Sequence, residues 1–180
     1  MNILKKILLY LSAFIPLYVL LLIKISIELI NKNLTFNILN TTLICLLCLL
    51  SGFGLLGIFL SFNQDKKVQI TVLGYKNLTE KHFLGYFSLF VLFALTFQIE
   101  LVCMTVVFFL ILLMIGIVYI KNNLFYINPF LNIIGFSFYS IEYQTNSSKK
   151  TGIFLFYGKI ETNKKYYASI TPYNFNSIKK

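Results

Sequence analysis

The sequence predicts a mainly α-helical membrane protein, in which four transmembrane helices precede a small C-terminal antiparallel β domain. Hydrophobic residues make up 58% of the 180 residues and the mean hydropathy is +0.79, more than a water-soluble core needs. Charged residues make up only 12% and lie between long apolar runs, whereas a soluble surface would spread them evenly. Aromatic and polar residues alternate after residue 135, which predicts strands.

The first apolar run, residues 7–23, predicts an uncleaved membrane anchor. At a rise of about 1.5 Å per residue, it crosses most of a hydrocarbon core about 30 Å thick. It is longer than the apolar part of a signal peptide, and no small-x-small cleavage site follows it. Lys24 and Glu28 lie one helical turn apart beyond this run, so we predict that they pair at the membrane interface.

The second predicted span, residues 41–62, carries small residues along one face. Ser51, Gly54 and Ser61 follow the three-to-four spacing of a helix face, and Gly57 lies beside them. Small side chains let another helix approach closely, which is how spans associate in lipid. We predict that this face is a helix-packing seam, either within the chain or between copies. The alternative is a stripe that lines a pore or a substrate path.

The apolar segment of residues 83–120 is too long for one span and barely long enough for two. Gln98 and Glu100 interrupt it, so we predict two short helices, residues 83–98 and 101–120, joined by a tight outer hairpin. The alternative is one strongly tilted helix, which would carry the C-terminal tail to the opposite side of the membrane.

Lysine placement favours the two-helix interpretation. With four spans, the lysines before residue 7, in the 63–82 loop and after residue 120 all lie on one side. The opposite side keeps Lys24, Lys32 and the acidic Glu100. Because cytoplasmic loops carry the lysine excess, both termini and the 63–82 loop are predicted to be cytoplasmic.

A boundary is predicted after residue 127, between a transmembrane domain (1–127) and a cytoplasmic part (128–180). Asn128 is a cap-forming residue, Pro129 suits the first helical position, and Gly135 suits the position just past a helix end. We predict one or two helical turns that lie at the membrane surface and direct the tail away from the last span.

The tail is predicted to form a small antiparallel sheet. Strands are expected at residues 136–143, 153–160 and 166–170, with a turn at 145–152, and a short strand is expected at 68–73 in the 63–82 loop. So few residues cannot bury much core. The stability of the sheet should therefore depend on the membrane, the 63–82 loop, another subunit or a partner protein.

The net charge of +10 comes from sixteen lysines without arginine. Bidentate recognition of bases and phosphates favours the guanidinium group, so we predict no direct contact with nucleic acid. Anionic lipid headgroups or a protein partner are the expected counterparts of the basic residues. The alternative is a solvated surface that keeps the domain soluble. The residues predicted for lipid or partner contact are Lys66, Lys67, Lys149, Lys150, Lys164 and Lys165.

No pattern in the sequence predicts catalysis, a metal or a cofactor. Glycine-rich nucleotide loops and hydrolase motifs are absent, and one histidine cannot supply a metal cluster. The six carboxylates are scattered, and the three cysteines, Cys45, Cys48 and Cys103, lie within apolar runs. The predicted spans hold no unpaired charge at mid-depth, which argues against transport. A scaffold, sensor or anchor is therefore predicted.

Two segments carry a resemblance to a known family. They are Asn-Pro-Phe-Leu-Asn-Ile-Ile-Gly-Phe-Ser-Phe-Tyr at 128–139 and the entry to the third span at 78–90. Together with the layout of spans, loop and tail, these segments resemble KwaA, the membrane subunit of the bacterial Kiwa anti-phage system. The resemblance implies a homo-oligomer, a tetramer, that detects phage attack at the inner membrane. It also implies a cytoplasmic KwaB-like partner that binds DNA and blocks phage replication, and it implies no catalytic residues.

Two other functions fit the same layout. A toxin-immunity protein would also have four spans and no catalytic group, and it would need no partner. A channel or holin-like pore would need a polar stripe across a span, for which the face from Ser51 to Ser61 is the best candidate.

Overall fold

The computed structural model of the chain describes residues 3–31, 37–62, 68–97, 102–145, 148–170 and 176–179. Over these ranges the chain forms six helices and five strands. The helices are α1 (Ile3–Ala13), α2 (Ile15–Ile30), α3 (Ile38–Phe62), α4 (Thr79–Thr96), α5 (Val102–Lys121) and α6 (Pro129–Ile133). The strands are β1 (Val68–Asn77), β2 (Phe136–Thr145), β3 (Ser148–Tyr157), β4 (Lys165–Ser169) and β5 (Asn176–Lys179).

Two helices in the described ranges are long and apolar enough to cross a membrane, namely α3 and the Cys103–Lys121 part of α5. α1 and α2 pass the same test together as a bent pair, so the candidate spans number two, or three with that pair. The prediction of four clear spans is thus supported only in part. α4 is the exception because its first turn is polar. Its apolar part, residues 83–96, extends about 21 Å, less than a core of about 30 Å.

The structure has separate helices on the two sides of the interruption predicted within residues 83–120. α4 ends at Thr96 and α5 begins at Val102. The hairpin itself, predicted around Gln98 and Glu100, lies outside the described residues.

The first predicted span, residues 7–23, is divided between two helices. α1 and α2 meet at Phe14 with a bend of 49°. Pro16 lies in the first turn of α2, where its missing N–H leaves the carbonyl four residues earlier without a helical partner. The sequence prediction of one span did not include this bend, although Pro16 is the residue that requires it.

The five strands form a closed barrel in the order β1-β2-β3-β5-β4. β1 pairs antiparallel with both β2 and β4, although three helices separate it from them in sequence. β3 and β5 pair in parallel, and the remaining neighbours are antiparallel. This strand order, with its single parallel pair, is that of the OB-fold barrel.

The barrel corrects the predicted C-terminal antiparallel sheet in two respects. The sheet is not confined to the tail, and one of its pairs is parallel. The physical reason is that β2 and β4 would otherwise be edges with unpaired backbone groups, and β1 covers both of them. The short strand predicted at 68–73 is confirmed as part of β1.

The turn predicted at 145–152 is placed correctly but is too long, because the chain reverses between Thr145 and Ser148. β2 and β3 pair over their full lengths, from Phe136 opposite Tyr157 to Thr145 opposite Ser148. Residues 148–152 therefore belong to β3, and they lie at exposed or half-exposed positions of that strand. The prediction also did not include β5, whose four residues carry little apolar alternation.

The barrel has a core of its own and a separate contact with the helices. Ile70 of β1 and Ile141 of β2 are fully buried inside it. Phe138 and Leu155, which lie opposite each other on β2 and β3, pack instead into the helical core. Since successive strand residues point to opposite faces, the outer face at this end of the barrel is what docks on the helices.

The core of the barrel contains residues of β1 and of the C-terminal strands, so we expect a change in β1 to destabilise the whole barrel. Ile70→Ala should lower the stability of the barrel by about 2–5 kcal/mol, the usual cost of truncating a buried isoleucine. Gln69→Ala, at the exposed neighbouring position, is the matched control. Limited proteolysis should cut the C-terminal strands of Ile70→Ala faster than those of the control. Equal cleavage rates would contradict a shared barrel.

Candidate functional site

The bend between α1 and α2 holds a buried polar side chain. Ser12 lies four residues before Pro16, and none of its surface is exposed. Its hydroxyl donates to the carbonyl of Leu9 at 2.7 Å and accepts a hydrogen bond from Asn128 Nδ2, also at 2.7 Å. A hydrogen bond between buried polar groups removes the cost of desolvating both, so this pair fixes the bend against the segment that carries Asn128.

Asn128 joins the bend to the start of α6. Its Oδ1 accepts from the backbone N–H of Leu131 at 3.2 Å, and Pro129 occupies the first turn of α6. The residue is 1% exposed, with an extended backbone. One amide therefore caps α6 with its oxygen and holds Ser12 with its nitrogen.

Gly135 follows the end of α6 and turns the chain into β2. Its φ of +91° lies in the left-handed region, and an added Cβ would lie 2.9 Å from the ring of Tyr157. Its N–H donates to the carbonyl of Asn132 at 3.0 Å. Both the conformation and the close ring require glycine here.

Two of the four residues predicted as a helix-packing seam lie directly against α1. A Cβ on Gly57 would lie 2.5 Å from the carbonyl carbon of Leu8, and a Cβ on Gly54 would lie 3.0 Å from Cα of Ser12. α3 therefore approaches α1 backbone to backbone beside the Ser12–Asn128 contact. The structure brings these glycines against a helix of the same chain.

The two serines of this seam bond to their own helix. Ser51 donates to the carbonyl of Leu47 at 2.8 Å, and Ser61 donates to that of Gly57 at 2.7 Å. Such bonds back to the preceding turn satisfy the hydroxyls locally. This placement gives no support to the alternative of a polar pore-lining stripe.

α1 also holds α5. The hydroxyl of Tyr10 donates to the carbonyl of Leu112, and a Cβ on Gly116 would lie 2.9 Å from the ring of Tyr10. Near the start of α1, Lys6 Nζ donates to Asn123 Oδ1 at 2.9 Å. α1 thus contacts α3, α5 and the cap of α6, whereas α4 is held by α2.

The side chain of Lys24, a residue of α2, reaches the C-terminal end of α4. Its Nζ donates to the carbonyls of Ala94 and Leu95, each at 3.2 Å, and of Phe97 at 2.6 Å. The last carbonyls of a helix lack donors and attract a cation. The Glu28 carboxylate lies 4.0 Å from the same Nζ, so the predicted pair is present but is the longer of these contacts.

The basic residues predicted for lipid or partner contact lie at one end of the barrel. Lys149 and Lys150 are exposed at the start of β3, and Lys164 and Lys165 are exposed at the start of β4. A hydrogen bond to Glu161 raises the pKa of Lys164. Register places this end opposite the one that docks on the helices. Lys66 and Lys67 lie outside the described residues.

The described residues contain no cluster of three or more His, Cys, Asp or Glu side chains that could hold a metal. The cysteines Cys45, Cys48 and Cys103 are free and exposed on apolar helices. The polar contacts described above join segments that are distant in the sequence, so the candidate site is one of contacts between segments.

The sequence patterns did not predict Ser12 or Tyr10 as contact residues, and for Lys24 they predicted only the pair with Glu28. A signal existed for Ser12, because it is a polar residue four positions before the proline of an apolar run. Tyr10 and Lys24 bond to backbone carbonyls distant in sequence, and such acceptors have no residue-type signature.

Gly57→Ala tests the close approach of α3 to α1. The added methyl group meets the backbone of Leu8, so α3 must move, and we expect a destabilisation of about 1–3 kcal/mol. Gly52→Ala is the control, because nothing lies within 4 Å of its Cβ position. Thermal unfolding of the purified protein in one detergent should place Gly57→Ala below the wild type and Gly52→Ala at or above it. Equal melting temperatures would contradict the contact.

Comparison with known proteins identifies the family. The model of the KwaA family, described as anti-phage protein KwaA, matches residues 5–176 of the 180, nearly the whole chain. Searches of curated proteins and of solved structures give no match. KwaA is not a known enzyme family. The matched range includes α3, α5, the Ser12–Asn128 contact and the strands β1 to β4, and the chain therefore belongs to the KwaA family of anti-phage proteins.

Proposed function

We propose that the chain is a non-enzymatic sensor subunit of the bacterial inner membrane, with four membrane crossings and both termini in the cytoplasm. It works as a homo-oligomer and recruits a cytoplasmic, KwaB-like DNA-binding protein through its barrel when phage attack disturbs the membrane. The Ser12–Asn128 contact carries this proposal, because it joins the first crossing to the helix that leads into the barrel.

The shared barrel supports the return path of α4 and α5. β1 precedes α4 and β2 follows α5, yet the two strands are paired, so both lie on the same side of the membrane. α5 is long enough to cross. The chain then has to cross once more between β1 and α5, and α4 is the helix available for this. One tilted helix over residues 83–120 does not satisfy this pairing.

The N-terminus belongs on the same side as the barrel. Lys6 bonds to Asn123, which lies shortly after the end of α5 and before β2 of the barrel. α1 and α3 run antiparallel, since Leu8 lies beside Gly57 and Ser12 beside Gly54. α1 and α2 together then make one bent crossing. With the lysine excess on the barrel side, the positive-inside tendency makes that side cytoplasmic.

Cysteine labelling tests this orientation. The three native cysteines are replaced by serine, and single cysteines are placed at Lys76 of β1 and Lys150 of β3. In intact spheroplasts, a membrane-impermeant maleimide should leave both positions unlabelled, and permeabilisation should expose both. Labelling of either position in intact spheroplasts would overturn the cytoplasmic barrel.

The basic end of the barrel suits a partner protein better than lipid. Strand β2 extends about 20 Å between Phe138 and Gln144, at about 3.3 Å per residue. Phe138 packs on the helices, and Gln144 lies opposite Lys149. Screening at physiological salt limits attraction between exposed charges to about 8 Å. Lysines at this end are therefore best placed to meet an acidic surface in the cytoplasm. The apolar outer faces of α3 and α5 meet lipid or other copies of the chain.

Asn128→Ala tests the recruitment role. It removes both the cap of α6 and the bond to Ser12, which should loosen the barrel from the first crossing while insertion continues. We expect about a tenfold fall in co-purified partner, equivalent to about 1.4 kcal/mol, together with loss of protection in a phage plaque assay. Asn132→Ala, which alters a half-buried amide in the same helix, is the control. Unchanged co-purification with full protection in Asn128→Ala would refute the coupling.

A further inference from the structure

A cleft between α2 and α4 has the chemistry of a phospholipid site. Its volume is about 310 Å³, and its walls are apolar side chains that include Leu20 and Ile23 of α2 and Val91 and Leu95 of α4. Lys24 and Glu28 also line it. Within a bilayer such walls face hydrocarbon, so the cleft accommodates an acyl chain and leaves the two charged side chains to meet a headgroup.

The two charges are not equivalent. Lys24 directs its three N–H groups toward the three carbonyls that end α4, so its bonding capacity is used within the protein. In the ranges the structure describes, the Glu28 carboxylate accepts no hydrogen bond and is 4.0 Å from Lys24 Nζ. Its side chain is 28% exposed. The open bonding capacity in the cleft is therefore that of a carboxylate, which selects a cationic hydrogen-bond donor.

The length of α4 places this carboxylate beside headgroups. The apolar part of α4 extends about 21 Å, and α2 continues for six residues beyond Lys24, to Ile30. The last turns of α2 therefore extend beyond the level at which Lys24 meets the end of α4. A short hydrophobic segment draws the bilayer surface toward its end, which brings headgroups to the level of Glu28.

We propose that the α2–α4 cleft binds phosphatidylethanolamine, with an acyl chain along the apolar walls and the primary ammonium group donating to Glu28. A primary ammonium offers three charge-assisted donors to a carboxylate. The trimethylated ammonium of phosphatidylcholine offers none, and phosphatidylglycerol has no cation. This binding is independent of partner recruitment and goes beyond the sensor role proposed above.

Lipid competition in nanodiscs tests the site. The full chain is placed in nanodiscs of equal parts dioleoyl phosphatidylethanolamine, phosphatidylglycerol and phosphatidylcholine, and the lipids retained after release are identified by native mass spectrometry. We expect phosphatidylethanolamine to be enriched. Glu28→Gln should reduce this enrichment about fivefold, the range of an accessible ion pair. Glu142→Gln, which removes an exposed carboxylate of the barrel, should leave it unchanged.

A second measurement needs no variant. Stepwise N-methylation of the ethanolamine headgroup removes one donor at a time, so retention by the wild-type protein should fall along the series to phosphatidylcholine. Equal retention of all headgroups, preference for phosphatidylglycerol, or enrichment unaffected by Glu28→Gln in a folded protein would overturn the proposal.

Discussion

β1 pairs with β2 on one side and with β4 on the other, and the rest of the arrangement follows from this hydrogen bonding. Neighbouring strands lie about 4.8 Å apart, so the chain that leaves β1 has to return to within that distance after α4, α5 and α6. In this chain α4, α5 and α6 form the connection between the first two strands of the barrel. The apolar hairpin is thus an insertion in a small barrel, and neither part can be placed without the other.

A second constraint is that polar groups in an apolar surrounding need partners. In hydrocarbon an unsatisfied backbone group costs several kcal/mol. At the bend between α1 and α2 and at the end of α4, a specific polar side chain lies beside the interrupted helix. Ser12 and Asn128 meet at the bend, and Lys24 bonds the exposed carbonyls that end α4. These contacts explain why a chain so rich in apolar residues has a defined arrangement of helices, since apolar packing alone is non-directional.

The sequence was sufficient for the features that depend on local pattern. α3 and α5 follow from uninterrupted apolar runs, and the Asn-Pro start of α6 follows from the chemistry of helix caps. The same local patterns could not give the barrel, because β1 pairs with strands that lie far from it in the sequence, beyond three helices. The long apolar run at residues 7–23 predicted one straight span although it contains Pro16. The bend that holds the Ser12–Asn128 contact was therefore not predicted.

Under the proposed sensor role, α1 is the helix that would pass a disturbance in the membrane to the barrel. α1 contacts α3 through two glycines, α5 through Tyr10 and the cap of α6 through Ser12. Glycine contacts between backbones leave no flexible side chain to absorb a movement, so a shift of α3 displaces α1 directly. Ser12 then moves relative to Asn128, whose amide also fixes the first turn of α6. Because β2 begins directly after the turn at Gly135 that follows α6, under the proposed sensor role a movement of α6 would pass to the barrel through this turn.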